Sequence, residues 1–141
     1  MTVKEYLRQA YRLDQRINSN LEELTRLRIM ASTISSTRVG DKVQSSRQND
    51  APFVRTVEKI MLLEDKINQE VDMLVDLKSQ IHDMISAVPQ TDERLVLGYR
   101  YIHNMTWEQI GNELCADSRT VRRWHDEALA HAVLPEKPIE I

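Results

Sequence analysis

One cysteine, three glycines, four prolines and a single phenylalanine serve a chain of 141 residues, and each shortage closes off a class of protein. The lone thiol, Cys115, cannot form an internal disulfide, which fits a reducing compartment. Three glycines are too few for the positive-φ positions that β-hairpin turns and phosphate-cradling loops demand. No run approaches the roughly 18 apolar residues of a membrane span. The opening MTVKEYLRQAYR mixes charge with apolar residues too early for a secretory signal. Paired carboxylates, clustered metal ligands and glycine loops at catalytic spacing are all missing, so an enzyme is the least supported class and neither cofactor nor metal is expected. His82, His103, His125 and His131 have no tight ligand spacing with Cys115, and no neighbouring base marks that thiol as a nucleophile.

What is present points to helices. Hydrophobic residues make up 41%, which excludes wholesale disorder, and an all-α protein is the natural inference. The net charge of -3 is unevenly spread. Residues 1–50 carry nine Lys/Arg against six Asp/Glu, and residues 51–90 carry four against seven. Between Thr91 and Leu134 there are five basic and seven acidic residues, yet three of the five basics fall within Arg119 to Arg123. A basic field over the whole domain is absent, which predicts weak non-specific DNA binding by that segment alone.

Two long apolar seams organise residues 1–88. Thr2 and Glu5 form a capping box, after which Tyr6, Leu13, Asn20, Leu27 and Ile34 recur every seven residues, with Ala10, Ile17, Leu24 and Ala31 between them. Asn20 is the polar intruder, a register-setting residue of the kind coiled coils bury. Residues 35–52, SSTRVGDKVQSSRQNDAP, break the pattern and predict a long loop, either a connector or a partner contact. Phe53, Ile60, Ile67, Leu74, Ile81 and Val88 then repeat every seven residues, with Leu63, Val71, Leu77 and Ile85 filling the seam. A helix from Ala51 to Val88 would be about 57 Å long at 1.5 Å per residue, stopping at Pro89. The simplest arrangement is a long antiparallel helical hairpin, a coiled coil held partly by the opposite charge of its halves. Such a unit buries only a strip on each helix, so pairing between chains, most simply as a dimer, is expected. The row Lys4, Arg8, Arg12 and Arg16 is expected to be a solvated face paired with Asp65, Asp72, Asp76 and Asp83 rather than a second DNA site.

Residues 91–133 read as three short helices. ERLVLGYRYI places Leu95, Val96 and Tyr99 or Ile102 on one face, and Asn104 suits a left-handed helix cap. Thr106 and Gln109 form a second capping box, and Asp117 caps the last helix. Trp107, Ile110, Gly111, Leu114, Val121 and Trp124 are laid out as the core of a helix-turn-helix, with Gly111 permitting close approach of the two helices. The second helix would carry Ser118, Arg119, Thr120, Arg122 and Arg123 outward, with Thr106 beside them. Arginine bonds bidentately to guanine or neutralises phosphate. Arg119 and Arg122 are expected to reach bases, Arg123 and Thr106 the backbone. The tail from residue 134 to 141, with two prolines, is expected to be disordered.

Residues 93–129 resemble region four of bacterial primary sigma factors, and more closely the sigma-like regulators of phages and prophages. The matching positions are Leu97, Tyr101, Thr106, Gln109, Ile110, Gly111, Leu114, Val121, Arg122, Ala128 and Leu129. The segment MTVKEYLRQAYRLDQRINSNLEEL and the GDKVQSS stretch also resemble prophage proteins of the ArpU and RinA late-gene regulator type, in which a helical hairpin precedes such a module. The resemblance implies control of phage transcription in the cytoplasm of a bacterial host. The implied partners are double-stranded DNA, a second copy of the chain and host RNA polymerase, with no membrane and no small-molecule substrate. Cys115 stands where the sigma turn usually has glycine, and Ser118 and Arg119 replace its Arg-Glu pair, so a different DNA sequence is expected. No counterpart exists for the sigma regions that grip polymerase and melt promoters. A small terminase-like packaging subunit and a coiled-coil adaptor are the alternative functions.

Overall fold

The computed structural model describes residues 1–40 and 46–141. Among them every regular element is helical, and the fold is all-α. Helix α1 spans Val3–Gly40, α2 Ser46–Ser86, α3 Thr91–Leu97, α4 Trp107–Leu114 and α5 Ser118–His131, with a π-helical turn over Gly98–Ile102 following α3. No helix among the described residues is long and apolar enough to cross a membrane.

Helix α1 begins as its capping box requires. The Glu5 amide donates to Thr2 Oγ1 at 3.1 Å and the Thr2 amide donates to Glu5 Oε2 at 2.9 Å. That backbone donor holds the exposed Glu5 carboxyl below its usual range. The loop expected over residues 35–52 is shorter than its composition suggested, because α1 continues to Gly40 and α2 starts at Ser46 with Pro52 inside it. Extending a helix that already exists fixes one residue per added hydrogen bond, so a few serines and threonines do not stop it. The rest of that loop, residues 41–45, lies outside the described residues.

The chain divides into two compact units, one of residues 15–72 and the other of residues 1–14 with 73–141. That division runs differently from the expected one between residues 1–88 and 91–133. The first turns of α1 and the last turns of α2 fold with the C-terminal helices.

Within residues 15–72 the two helices run antiparallel. Asn20 meets Glu70, and further along Arg28 meets Glu64 at 2.8 Å. The seam residues Ile17, Leu24 and Ile67 are buried, and Ile60 is half-buried. Val71, expected in the seam, is instead exposed, and Glu70 takes the inner position at 4% exposure. Three-four alternation explains this, since 60, 63, 67 and 70 lie on one stripe. The Asn20 amide donates to Glu70 Oε1 at 2.5 Å, and the Arg16 guanidinium stands 3.2 Å from Oε2.

In the other unit, Tyr6, Leu7 and Ala10 of α1 pack with Leu77 and Ile81 of α2, with Val88 just past its end, and with Leu97, Tyr101 and Ala128 of the C-terminal helices. Leu13 is buried and Leu74 half-buried in the same unit. The tail expected to be disordered belongs to this core. Leu134 and Ile139 pack against it, Gln9 Nε2 donates to the Ile139 carbonyl at 2.8 Å, and the Ile139 amide donates to Gln80 Oε1 at 3.0 Å. Pro135 and Pro138 keep the tail from forming a helix, and two glutamine side chains satisfy the backbone groups left over.

Helices α4 and α5 form the expected helix-turn-helix. Val96, Ile110 and Val121 are fully buried, with Trp107, Leu114 and Trp124 half-buried around them. Thr106 and Gln109 make both capping-box bonds, and Asp117 Oδ1 accepts from the Thr120 amide at 2.9 Å. Backbone donors from Thr120 and, to a lesser extent, Arg119 hold the Asp117 carboxyl below its usual range. Cys115 takes the left-handed conformation at φ 54°, at a cost of about 1 kcal/mol that a glycine would avoid. Gly111 lies so close to the turn that a Cβ there would sit 2.5 Å from the Ala116 carbonyl oxygen.

Of the face expected for residues 95–102, Val96 is buried and Tyr99 packs beside it, whereas Leu95 departs from it. His103 donates to the Gly98 carbonyl at 3.1 Å, five residues back, so the turn holds one residue more than an α-turn. Leu95 is left 38% exposed while Tyr101 is buried. Asn104 then ends the turn at φ 56°, in the left-handed conformation its residue type favours.

Candidate nucleic-acid interface

Helix α5 is fixed at its N-terminus by Asp117 and along its inner side by Val121, His125 and Ala128. Its outer side carries Arg119, Arg122 and Arg123, all exposed, while Ser118 and Thr120 are half-buried and Thr106 is exposed at the start of α4. None of the three arginines has an ion pair among the described residues. The Arg122 guanidinium stands 5.9 Å from the Trp107 ring centroid, and none of the three has a side-chain hydrogen bond among the described residues.

Two of the six expected contact residues, Thr106 and Arg122, also line a cleft of about 680 Å³ that the sequence did not announce. Lys4, Arg8 and Arg12 of α1, Arg100 of the π-helical turn and Arg122 supply its cations. Asp126 is the one carboxylate in the lining. The row of α1 cations is therefore not the salt-bridged face expected for it. Arg16 alone finds a carboxylate, Glu70, while Lys4, Arg8 and Arg12 have no ion pair among the described residues. Their spacing of four residues was visible, but the neighbour they face was not, because Arg100 and Arg122 are about 90 residues or more further along the chain.

The cleft wall is a packed aromatic cluster. The Arg100 guanidinium lies over the Trp107 ring at 4.2 Å and donates to the Met105 carbonyl at 2.9 Å. His125, 4% exposed, meets the Trp107 ring edge-on at 4.8 Å between centroids, and its Nε2 is 2.6 Å from the Tyr101 hydroxyl. Burial pushes the imidazole below its ordinary pKa, with Asp126, 3.5 Å from Nδ1, opposing the shift and the nearby Lys4 and Arg100 adding to it. Burial likewise raises the Tyr101 hydroxyl. A neutral ring satisfies both partners, with Nε2 accepting from Tyr101 and the Nδ1 proton directed at Asp126. Trp107 thus packs against the helix-turn-helix core, as its spacing suggested, and also forms part of the cleft wall.

A depressed imidazole pKa has a definite consequence for stability. Above about pH 6.5 folded and unfolded chains are both neutral at this ring, whereas below it the unfolded chain takes up the proton first and stability is lost. The melting temperature should fall as pH drops from 7.5 toward 5.5, and His125→Gln should flatten that dependence. An unchanged slope in the variant would show that other groups dominate.

Glu93 is a second buried titratable group outside the cleft, 4% exposed and met by His131 Nδ1 at 2.9 Å. It ties α3 to the end of α5, a structural pairing that the sequence did not signal. Among the described residues no group of three or more His, Cys, Asp or Glu side chains is arranged to hold a metal ion.

No curated protein and no solved structure matches the chain. A family model described as a protein of unknown function, DUF722, matches residues 10–131, through both the paired long helices and the helix-turn-helix, and the chain belongs to that family.

Proposed function

We propose that this chain binds double-stranded DNA in a sequence-specific manner as a phage-type transcription regulator. The observation that carries the reading is the outer side of α5, where three exposed arginines without ion pairs stand on a helix capped by Asp117 and clamped to α4 at Gly111. A helix of this kind enters the major groove with its N-terminal half toward the bases. Arg119, in the first turn, is the residue placed to read a base edge, and Arg123 lies one turn on along the same side. The resemblance of residues 93–129 to sigma region four supports the same assignment.

A single module makes too few contacts for tight specific binding, so a second copy or a polymerase tether supplies the remainder. Exposed Val54, Met61 and Leu62 on α2 offer apolar surface for a second copy. Selection from random duplexes followed by fluorescence anisotropy tests the reading. Arg119→Ala should weaken binding to the selected duplex by about 5- to 150-fold, as expected for loss of one bidentate base contact. Full affinity in that variant would contradict it.

A further inference from the structure

We propose that the basic cleft is a seat for the phosphate backbone of duplex DNA, so that the start of α1 extends the footprint of the helix-turn-helix. The inference rests on the DNA-binding reading above and names residues that reading does not include: Lys4, Arg8, Arg12 and Arg100.

Charge supplies the first argument. A chain with a net charge of -3 gathers five cationic side chains around one cleft and places a single carboxylate among them. That carboxylate, Asp126, faces His125 at 3.5 Å. Like charges gathered along one cleft raise its positive potential and draw an anion to it. Lys4, Arg8, Arg12 and Arg122 have no ion pair among the described residues to offset that potential internally.

Dimensions and continuity indicate which anion. Lys4, Arg8 and Arg12 stand one turn apart on one side of α1, a row about 12 Å long at 1.5 Å per residue. One strand of duplex DNA presents a phosphate about every 3.4 Å along the helix axis, so the row faces about three of them. A single phosphate or a free nucleotide would use only part of it. The cleft also shares Arg122 and Thr106 with the helix-turn-helix, whose first helix crosses the DNA backbone in this class of motif. Its position therefore matches the strand that flanks the groove entered by α5.

Of the aromatic residues lining the cleft, Tyr11 is 51% exposed, whereas Trp107 is already covered. Arg100 already lies over the Trp107 ring and His125 abuts it edge-on, so the indole is not a free platform. Trp107 instead holds Arg100 in place, while the Met105 carbonyl fixes the orientation of its guanidinium. The cleft compensates for the lack of a basic field elsewhere in residues 91–134. Arg122 belongs with the backbone contacts in this arrangement, leaving base readout to Arg119.

Anisotropy of a labelled duplex bound to the full chain, measured between 50 and 200 mM salt, tests the proposal against the roughly 0.9 counterions released per phosphate contact. Arg8→Ala/Arg12→Ala removes two exposed side chains, and melting curves confirm that the variant folds. Its plot of log affinity against log salt should be shallower by about 1.8, with selected and unrelated duplexes weakened by the same factor. Arg26→Ala/Arg55→Ala removes two exposed cations that do not line the cleft and should leave the slope unchanged. An unchanged slope in the cleft variant, or an equal change in both variants, overturns the proposal. Absence of duplex binding by the unaltered chain at 50 mM salt removes the DNA reading and this inference together.

Discussion

Gly111→Ala should lower the melting temperature by roughly 4 to 12 °C, whereas Gly98→Ala should raise it by a few degrees. Alanine is favoured over glycine inside a helix by about 1 kcal/mol, and that gain applies at both positions. At Gly98 nothing lies within 4 Å of the added carbon and the backbone is already right-handed, so the gain survives. At Gly111 the new carbon would meet the Ala116 carbonyl oxygen at 2.5 Å. That oxygen belongs to rigid backbone, since the Ala116 amide is itself bonded to the Gly111 carbonyl at 2.9 Å and the next residue caps α5. Relieving the contact must displace the turn, at an overpacking cost of about 1–3 kcal/mol and with loss of a cap worth about 1 kcal/mol. The net destabilisation is about 1–3 kcal/mol, and DNA binding should weaken with it. Shifts of the same sign in the two variants would contradict the geometry of the turn.

That turn shows what the sequence made legible. Caps and helix-turn-helix spacing are local, so Thr2, Thr106, Asp117, Asn104 and Gly111 could be placed before any coordinates, and each occupies its expected role. Features set by distant residues were not legible. The basic cleft joins α1 to side chains beyond residue 99, and a row of cations at helical spacing looks the same whether it faces water, carboxylates or more cations. The π-helical turn inserts a residue without any glycine or proline signal beyond Gly98. The proline-containing tail looked unstructured because its backbone partners, Gln9 and Gln80, lie on α1 and α2.

The polar pair in the seam should show opposite signs for single and double replacement. Asn20→Leu alone removes the donor that Glu70 Oε1 accepts from, leaving a carboxylate that is 5% exposed with only the Arg16 guanidinium beside it. Leaving a buried acceptor unsatisfied costs about 1–3 kcal/mol. Replacing both residues by leucine makes the seam continuous from Ile17 through Leu24 and from Ile60 through Leu74. Substitutions of that kind are often neutral or stabilise by about 1–4 kcal/mol, because the desolvation of the ionised group disappears with it. The urea midpoint should therefore fall for Asn20→Leu and recover to the unaltered value or above for Asn20→Leu/Glu70→Leu. The double variant should also give up the polar match that fixes the stagger of the two helices, visible as doubled amide resonances in residues 15–72. A double variant no more stable than the single one would show that the pair is not coupled in the way described.

The Asn20–Glu70 contact and the helix-turn-helix answer different needs. The first sets how α1 and α2 align within residues 15–72, and the second presents guanidiniums on a fixed helix. The function proposed here depends on the second. It is tested most directly by titrating labelled full-length chain with a duplex from the selection and following backbone and arginine Nε resonances. The account predicts that the perturbed signals concentrate in Thr106, in Ser118 to Asp126 and around the cleft residues Lys4, Arg8, Arg12 and Arg100, with Arg119 and Arg122 side chains among the largest shifts and residues 54–62 unmoved by DNA contact. Saturating binding that leaves the Arg119, Arg122 and Arg123 side chains unperturbed would contradict it.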